Sequence, residues 1–208
     1  YFLSSKFSEI ISLEIEQKTY NCAKENLEDF ENIQVVNSNV LDYDFTKKAD
    51  LIVCEMLDTA LIDEEEIPVL NHAKKFLKKD GRIIPQGIIN TVQLVNLERE
   101  YIHWDECANY EELSDEIVYS QFNFSDEINP KFIKELTLKA NRSGLANGLK
   151  ITTYTKLNDN LIAGSLPMLN PPLLIPLEKH KVKVNDFIHV ELKYIMGKGI
   201  ETIETKYL

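Results

Sequence analysis

Two glutamates nine positions apart, Glu55 and Glu64, frame the stretch Cys54-Glu55-Met56-Leu57-Asp58-Thr59-Ala60-Leu61-Ile62-Asp63-Glu64. Two facing carboxylates suit a guanidinium, whose planar fork of N–H donors pairs with each of them bidentately. Glu55 closes the apolar run Asp50-Leu51-Ile52-Val53-Cys54. An acid ending a buried strand needs a partner or a purpose, and open α/β sheets bind ligands at the carboxyl ends of their strands. Glu64 has a second reading. Asp63, Glu64, Glu65 and Glu66 open a helix, where free N–H groups and the helix dipole favour acids. Charge alone favours that reading for Glu64.

A third acid, Glu14, follows the strand-like run Ile10-Ile11-Ser12-Leu13. In doubly wound folds an acid at this place accepts hydrogen bonds from ribose hydroxyls, about 20 residues after the first Gly of the nucleotide loop. A surface glutamate at a strand end fits equally well. Thirteen residues precede Glu14, and the first Gly is Gly81. The Gly-rich loop is therefore expected upstream of Tyr1, and the opening Tyr1-Phe2-Leu3-Ser4-Ser5-Lys6 has no initiating Met. On this expectation the chain as it stands binds a nucleotide-like cofactor poorly, and the complete protein binds it. Asn39-Val40, after the strand-like Ile33-Gln34-Val35-Val36-Asn37, sets a polar beside an apolar side chain. That pair suits an adenine ring, or a plain turn with one core residue.

The elements that must hold these residues alternate. Gln17 to Phe30 places Tyr20, Ala23, Leu27 and Phe30 at helical spacing, and Ile67, Leu70, Ala73 and Leu77 mark a helix from Glu64 to Leu77. Lys78-Lys79-Asp80-Gly81 reads as its stop, and Arg82-Ile83-Ile84-Pro85 as a short strand. Strand–helix–strand order implies a parallel sheet with covering helices. After Pro85 the period falls to two, as in Leu136, Leu138 and Ala140, in Leu149 and Ile151, and in Ile188, Val190, Leu192 and Tyr194. That is an antiparallel β pattern with one wet face. Asn141–Gly144, Asn147-Gly148, Asn158–Asn160 and Asn185-Asp186 read as turns, and Pro171-Pro172 excludes a helix from Met168 to Leu177. The expected domains are 1–85, Rossmann-like, and 86–208, β-barrel- or sandwich-like.

Composition narrows the rest. Of 208 residues, 44% are hydrophobic and 27% charged, so wholesale disorder is excluded. The net charge of −11 excludes a uniformly basic nucleic-acid surface and favours cationic partners. Cys22, Cys54 and Cys107 are scattered and odd in number, with no metal-ligand spacing, which suggests reduced thiols, no metal and a cytoplasmic setting. No apolar run is long enough to span a membrane.

Taken together these motifs resemble the class I S-adenosylmethionine-dependent methyltransferases, and within them the protein arginine methyltransferases. Ile11-Ser12-Leu13-Glu14 is similar to that family's ribose-binding strand, Asn39-Val40 to its adenine-side position, and Glu55 through Glu64 to its double-glutamate loop. Leu57-Asp58-Thr59-Ala60-Leu61-Ile62 resembles the version in monomethylating members. Lys79 to Pro85 resembles the lead into the family's β-barrel, and Ile102-His103-Trp104 a segment early in it. The resemblance covers roughly residues 9–104. It implies a Rossmann-like α/β fold followed by an antiparallel β-barrel or sandwich. It implies S-adenosyl-L-methionine as methyl donor and S-adenosyl-L-homocysteine as product, bound by Glu14, Ile15, Asn39 and Val40. Glu55 and Glu64 become the catalytic acids, holding a nitrogen acceptor for in-line attack while one of them assists proton loss.

A basic protein or peptide is the implied substrate, ahead of nucleic acid, and family members commonly form homodimers. Two departures stand out. The family's Thr-His-Trp loop has no match, and Asn170-Pro171-Pro172-Leu173-Leu174-Ile175-Pro176 stands roughly in its place. The helical dimerisation arm is short or replaced between Glu106 and Lys134. The alternatives are a methyltransferase for RNA, a small molecule or another protein site, and a non-catalytic scaffold that retains the fold.

Overall fold

Strands pair in parallel in the first part of the chain and antiparallel in the second. The computed structural model describes residues 2–164 and 168–208. It divides into two compact units, Tyr1–Lys48 and Ala49–Leu208.

In the first unit, β1 (Ile10–Glu14) and β2 (Ile33–Asn37) pair in parallel, with Ile10 opposite Ile33 and Glu14 opposite Asn37. The helix α1 (Gln17–Asn26) connects them, as a parallel pair requires. The helix stops four residues short of the expected Phe30. Leu27 leaves helical geometry while its N–H still donates to Ala23 O, and Asp29 just beyond favours a turn over a helix. None of the described residues in this unit is fully buried.

The second unit begins with another parallel pair, β3 (Ala49–Val53) and β4 (Leu77–Ile84). Between them lies α2 (Glu66–Ala73), which buries Ile67, Val69, Leu70 and Ala73. The expected helix to Leu77 is corrected here. A single 3₁₀ turn, Lys74–Phe76, follows Ala73, and Leu77 already starts β4. Leu77 fits a 3.6 period and a strand alike, so the apolar pattern could not place the break. Lys78, Lys79 and Asp80 are exposed strand residues, not a helix stop.

The remaining strands are β5 (Gly87–Leu97), β6 (His103–Trp104), β7 (Tyr110–Glu112), β8 (Ile117–Asn123), β9 (Lys131–Lys139), β10 (Gly144–Asn158), β11 (Leu161–Ala163), β12 (Leu173–Val182), β13 (Phe187–Ile195) and β14 (Glu204–Tyr207). A seven-stranded sheet runs β6-β12-β10-β5-β7, with β8 also paired to β5 and β11 to β10, and a three-stranded sheet runs β14-β13-β9. The period-two residues Leu136, Leu138, Val190, Leu192 and Tyr194 are all buried. Phe132 of β9 stacks on Tyr194 of β13 at 4.7 Å, and Tyr119 of β8 meets Phe132 edge-on at 5.7 Å. Burial raises the pKa values of both tyrosine hydroxyls, which lie 3.4 Å apart.

The segment between Glu106 and Lys134 holds β7, β8 and the start of β9, so strands stand where the family resemblance implied a helical arm. Asn147-Gly148 is not a turn. It is a bulge inside β10, where the pairing with β12 shifts register. Asn147 is buried there and bonds Leu97 through both ends of its amide, accepting from N–H at 2.6 Å and donating to C=O at 3.0 Å. Pro176 faces Gly148 at the same shift, a place where a missing N–H costs no ladder bond. The pairing changes from parallel to antiparallel between Ile84 and Gly87. Among the described residues no helix is long and apolar enough to cross a membrane.

Candidate active site

The acid-bearing loop leaves β3 at Cys54, whose N–H donates to Ile84 O at 2.9 Å and extends the β3–β4 ladder by one residue. Asp58 then organises the turn. Its Oδ2 accepts from the N–H groups of Ile62 (3.0 Å) and Asp63 (2.9 Å), and its Oδ1 from Glu64 N–H (3.4 Å). Between these partners Thr59–Leu61 forms a 3₁₀ turn with all three residues at 0% exposure. Ala60 and Leu61 hold φ values of 61° and 60°. Left-handed backbone at residues with a Cβ costs about 1–3 kcal/mol and persists only where surroundings enforce it.

Here they do. Ala60 N–H donates to Thr153 Oγ1 (2.8 Å), which donates to Asn90 Oδ1 (2.7 Å), so β10 and β5 hold the turn from below. Thr59 Oγ1 donates to Pro171 O at 2.6 Å. The residues after β13 close the other side. Gly197 N–H donates to Leu61 O (2.9 Å), and the N–H groups of Lys198 and Gly199 donate to Ile62 O (3.0 Å each). Lys198 also pairs with Glu65 at 3.2 Å.

On this rigid loop Glu55 and Glu64 are both exposed. The β3 strand is only partly buried and Val53 is 55% exposed, so the expectation of a buried strand ending in Glu55 is corrected. The buried acid is Glu66, at 0% exposure; among the described residues no backbone N–H and no cation reaches its carboxyl oxygens, and only the weak thiol donor of Cys54 adjoins them. Burial pushes its pKa up to about 9, and the nearby negative charges of Asp58, Glu64 and Glu55 add to the rise. Glu55, Asp58 and Glu64 thus all bear on one buried carboxyl. Burial likewise raises Asp58 to about 6, against the pull of its three N–H donors, and raises the Cys54 thiol to about 12. Sequence reading missed Glu66. The signal was present, since Glu66, Leu70 and Ala73 share one face at i, i+4 and i+7.

The other candidate residues lie in the first unit. Glu14 ends β1 and its carboxylate makes no hydrogen bond or ion pair among the described residues, while its carbonyl accepts from Ser38 N–H (3.1 Å) and Asn37 Nδ2 (2.8 Å). Ile15, next in the chain, is 67% exposed. Asn39 caps the turn Val40–Asp42, its Oδ1 accepting from Leu41 N–H at 2.9 Å. Glu14 and Ile15 thus lie at the end of β1, and Asn39 and Val40 follow β2, at strand ends that lie together in the parallel register, Glu14 opposite Asn37. Trp104 and His103 form β6 and pair with Leu173 and Leu174. Cys22 and Cys107 are free and exposed.

Comparison with known proteins places the fold first and the family second. Over 97% of this chain and 80% of the other, the structure superposes with a TM-score of 0.77 on a chain of the Trypanosoma brucei PRMT1 enzyme–prozyme heterotetrameric complex solved with AdoHcy. The two sequences are 13% identical, so the likeness shows a methyltransferase-like fold. No profile of a known protein family matches the sequence. Two archaeal proteins, both described as uncharacterized, are similar along the whole chain. The one from Methanothermobacter thermautotrophicus is 38% identical over 208 residues, covering 100% of this chain and 82% of its own length. The one from Methanocaldococcus jannaschii is 37% identical over 211 residues, covering 97% and 78%. The chain belongs to the family of these archaeal proteins.

Proposed function

We propose that this protein is an S-adenosylmethionine-dependent methyltransferase that modifies a nitrogen acceptor held by Glu55 and Glu64. The observation that carries the proposal is the acid loop itself. Two exposed carboxylates flank a turn pinned from three sides, and both bear on the buried carboxyl of Glu66. A pair of carboxylates suits the fork of a guanidinium better than a single charge would. The methyltransferase-like fold supplies the setting.

The cofactor contributes a methyl group already activated on a sulfonium sulfur. Residues 1–85 form the cofactor part in this reading, and 86–208 the substrate and interaction part. Glu14 binds the ribose hydroxyls, Ile15 and Val40 cover the ring, and the Asn39 amide faces the adenine; S-adenosyl-L-homocysteine is left as product. Glu55 and Glu64 orient the acceptor nitrogen, and one of them accepts the proton it sheds. A net charge of −11 supports a basic protein or peptide as substrate.

Labelled methyl transfer into a cell extract tests this. Label is expected to resist RNase and to be lost with protease, and Glu55→Gln is expected to abolish transfer while leaving S-adenosylmethionine binding intact. Unchanged turnover in that variant would remove Glu55 from the chemistry. A second reading, another acceptor class, is favoured by one feature. The segment Asn170–Pro176, which receives the Thr59 hydroxyl, differs from the family's Thr-His-Trp loop. RNase-sensitive label would decide for it.

A further inference from the structure

The buried carboxyl of Glu66 takes no backbone N–H and meets no cation among the described residues. A first-turn acid that merely serves its helix is exposed and accepts backbone N–H bonds. Asp58 performs that service for this loop, taking the N–H groups of Ile62, Asp63 and Glu64. Glu66 takes none: among the described residues its two buried oxygens have no well-formed hydrogen bond, only the weak thiol donor of Cys54 beside them. The charges that bear on it are those of Asp58, Glu64 and Glu55 from the loop, the Cys54 thiol just past β3 bonds it weakly, and Asp58 in turn bears on Tyr194 of β13. None of them is a cation. Leaving a buried polar group unbonded is costly, and such groups in native proteins call for an explanation.

We infer that Glu66 is a third acid of the loop, and that a guanidinium entering between Glu55 and Glu64 ionises it, so that each cation bound expels one proton to solvent. The inference rests on the guanidinium-holding role proposed for Glu55 and Glu64. Its electrostatics are simple. Surrounded by negative charge and shielded from water, Glu66 keeps its proton, and a positive charge at the loop reverses the balance. The released proton comes from the Glu66 carboxyl, which is left as a carboxylate facing the cation. The titration window is clear of the displaced neighbours. Asp58 titrates near 6 and the Cys54 thiol near 12, Tyr194 is shifted well upward, and Glu66 alone of these lies near 9.

The test is calorimetric titration of the full-length protein, saturated with S-adenosyl-L-homocysteine, with acetyl-Gly-Arg-Gly-amide. Two buffers of different ionisation enthalpy count the protons released. The wild type is expected to release about one proton per peptide and to tighten up to about tenfold per pH unit between about pH 7 and about pH 8. Glu66→Gln is expected to bind with no release and a Kd independent of pH over that range. The wild-type count stands alone should the variant fail to fold. Peptide that binds the wild type without releasing a proton, or a Glu66→Gln variant that still releases one, overturns the inference and leaves the role of Glu55 and Glu64 intact. Peptide that binds neither the wild type nor Glu55→Gln removes that role, and this inference with it.

Discussion

At the scale of single residues, the acid loop separates three tasks that the sequence merges into one run of carboxylates. Asp58 folds the loop, Glu55 and Glu64 face solvent, and Glu66 is buried uncharged. Buried neutrality has a thermodynamic signature. The folded-state pKa of Glu66, about 9, lies above the unfolded value near 4.5. Between those values the folded state holds a proton that the unfolded state lacks, so stability falls as pH rises, by about 1.4 kcal/mol per pH unit at most. Asp58 contributes the same sign, but only up to about 6. Glu66→Gln is therefore expected to raise Tm over the wild type, and the gain is expected to grow between about pH 6.5 and about pH 8.5. Thermal unfolding across that range checks it, and a gain that does not change with pH would contradict a protonated Glu66. The sequence displayed Glu55 and Glu64 because their spacing is a motif. Glu66 was hidden because acids crowd helix starts for an ordinary reason, and only its alignment with Leu70 and Ala73 marked it as inward.

At the scale of elements, the site is held by backbone contacts that side-chain patterns do not announce. Gly197 shows this. It has φ of +70°, and a Cβ there would sit 3.2 Å from both Glu64 O and Glu65 Cα. Gly197→Ala is expected to cost about 1–2 kcal/mol and to lower methyl transfer, because the strain is delivered to the backbone that carries Glu64. Gly164→Ala is the control, since among the described residues a Cβ there meets nothing nearer than Tyr154 at 4.0 Å, and it is expected to change stability by less than about 0.5 kcal/mol. Urea unfolding with a parallel transfer assay separates the two. β1, β2 and β3 were legible as short apolar runs and β9 and β13 by their period of two, although β3 is less buried than its run suggested. β5 was not, since nine of its eleven residues are buried and it pairs with β10, β8 and β7 along its length, which leaves no alternation to read. The α2–β4 boundary and the bulge at Asn147-Gly148 escaped for the opposite reason: their turn-like residues serve a strand.

At the scale of the whole molecule, burial is uneven, and that asymmetry carries the last prediction. The described core lies entirely in Ala49–Leu208, in strands such as β5, β10 and β12, while none of the described residues of Tyr1–Lys48 is fully buried. Opening free energy follows buried contacts, so amides of β1, β2 and α1 are expected to exchange well before those of β5, β10 and β12. The candidate cofactor residues, Glu14, Ile15, Asn39 and Val40, all belong to this weakly buried unit. A ligand that binds only its folded form stabilises it by mass action, by about 2.7 kcal/mol at one hundred times Kd. In the full-length protein S-adenosyl-L-homocysteine is therefore expected to slow exchange chiefly at residues 10–14 and 37–42, leaving β10 little changed. Glu14→Ala is expected to lose that protection without loss of the core's own, because the Glu14 carboxylate has no hydrogen bond or ion pair among the described residues. Protection gained in neither segment would favour the scaffold reading, since a fold kept without its cofactor has no reason to tighten there. Protection gained equally by wild type and Glu14→Ala would keep the cofactor and remove the ribose role from Glu14.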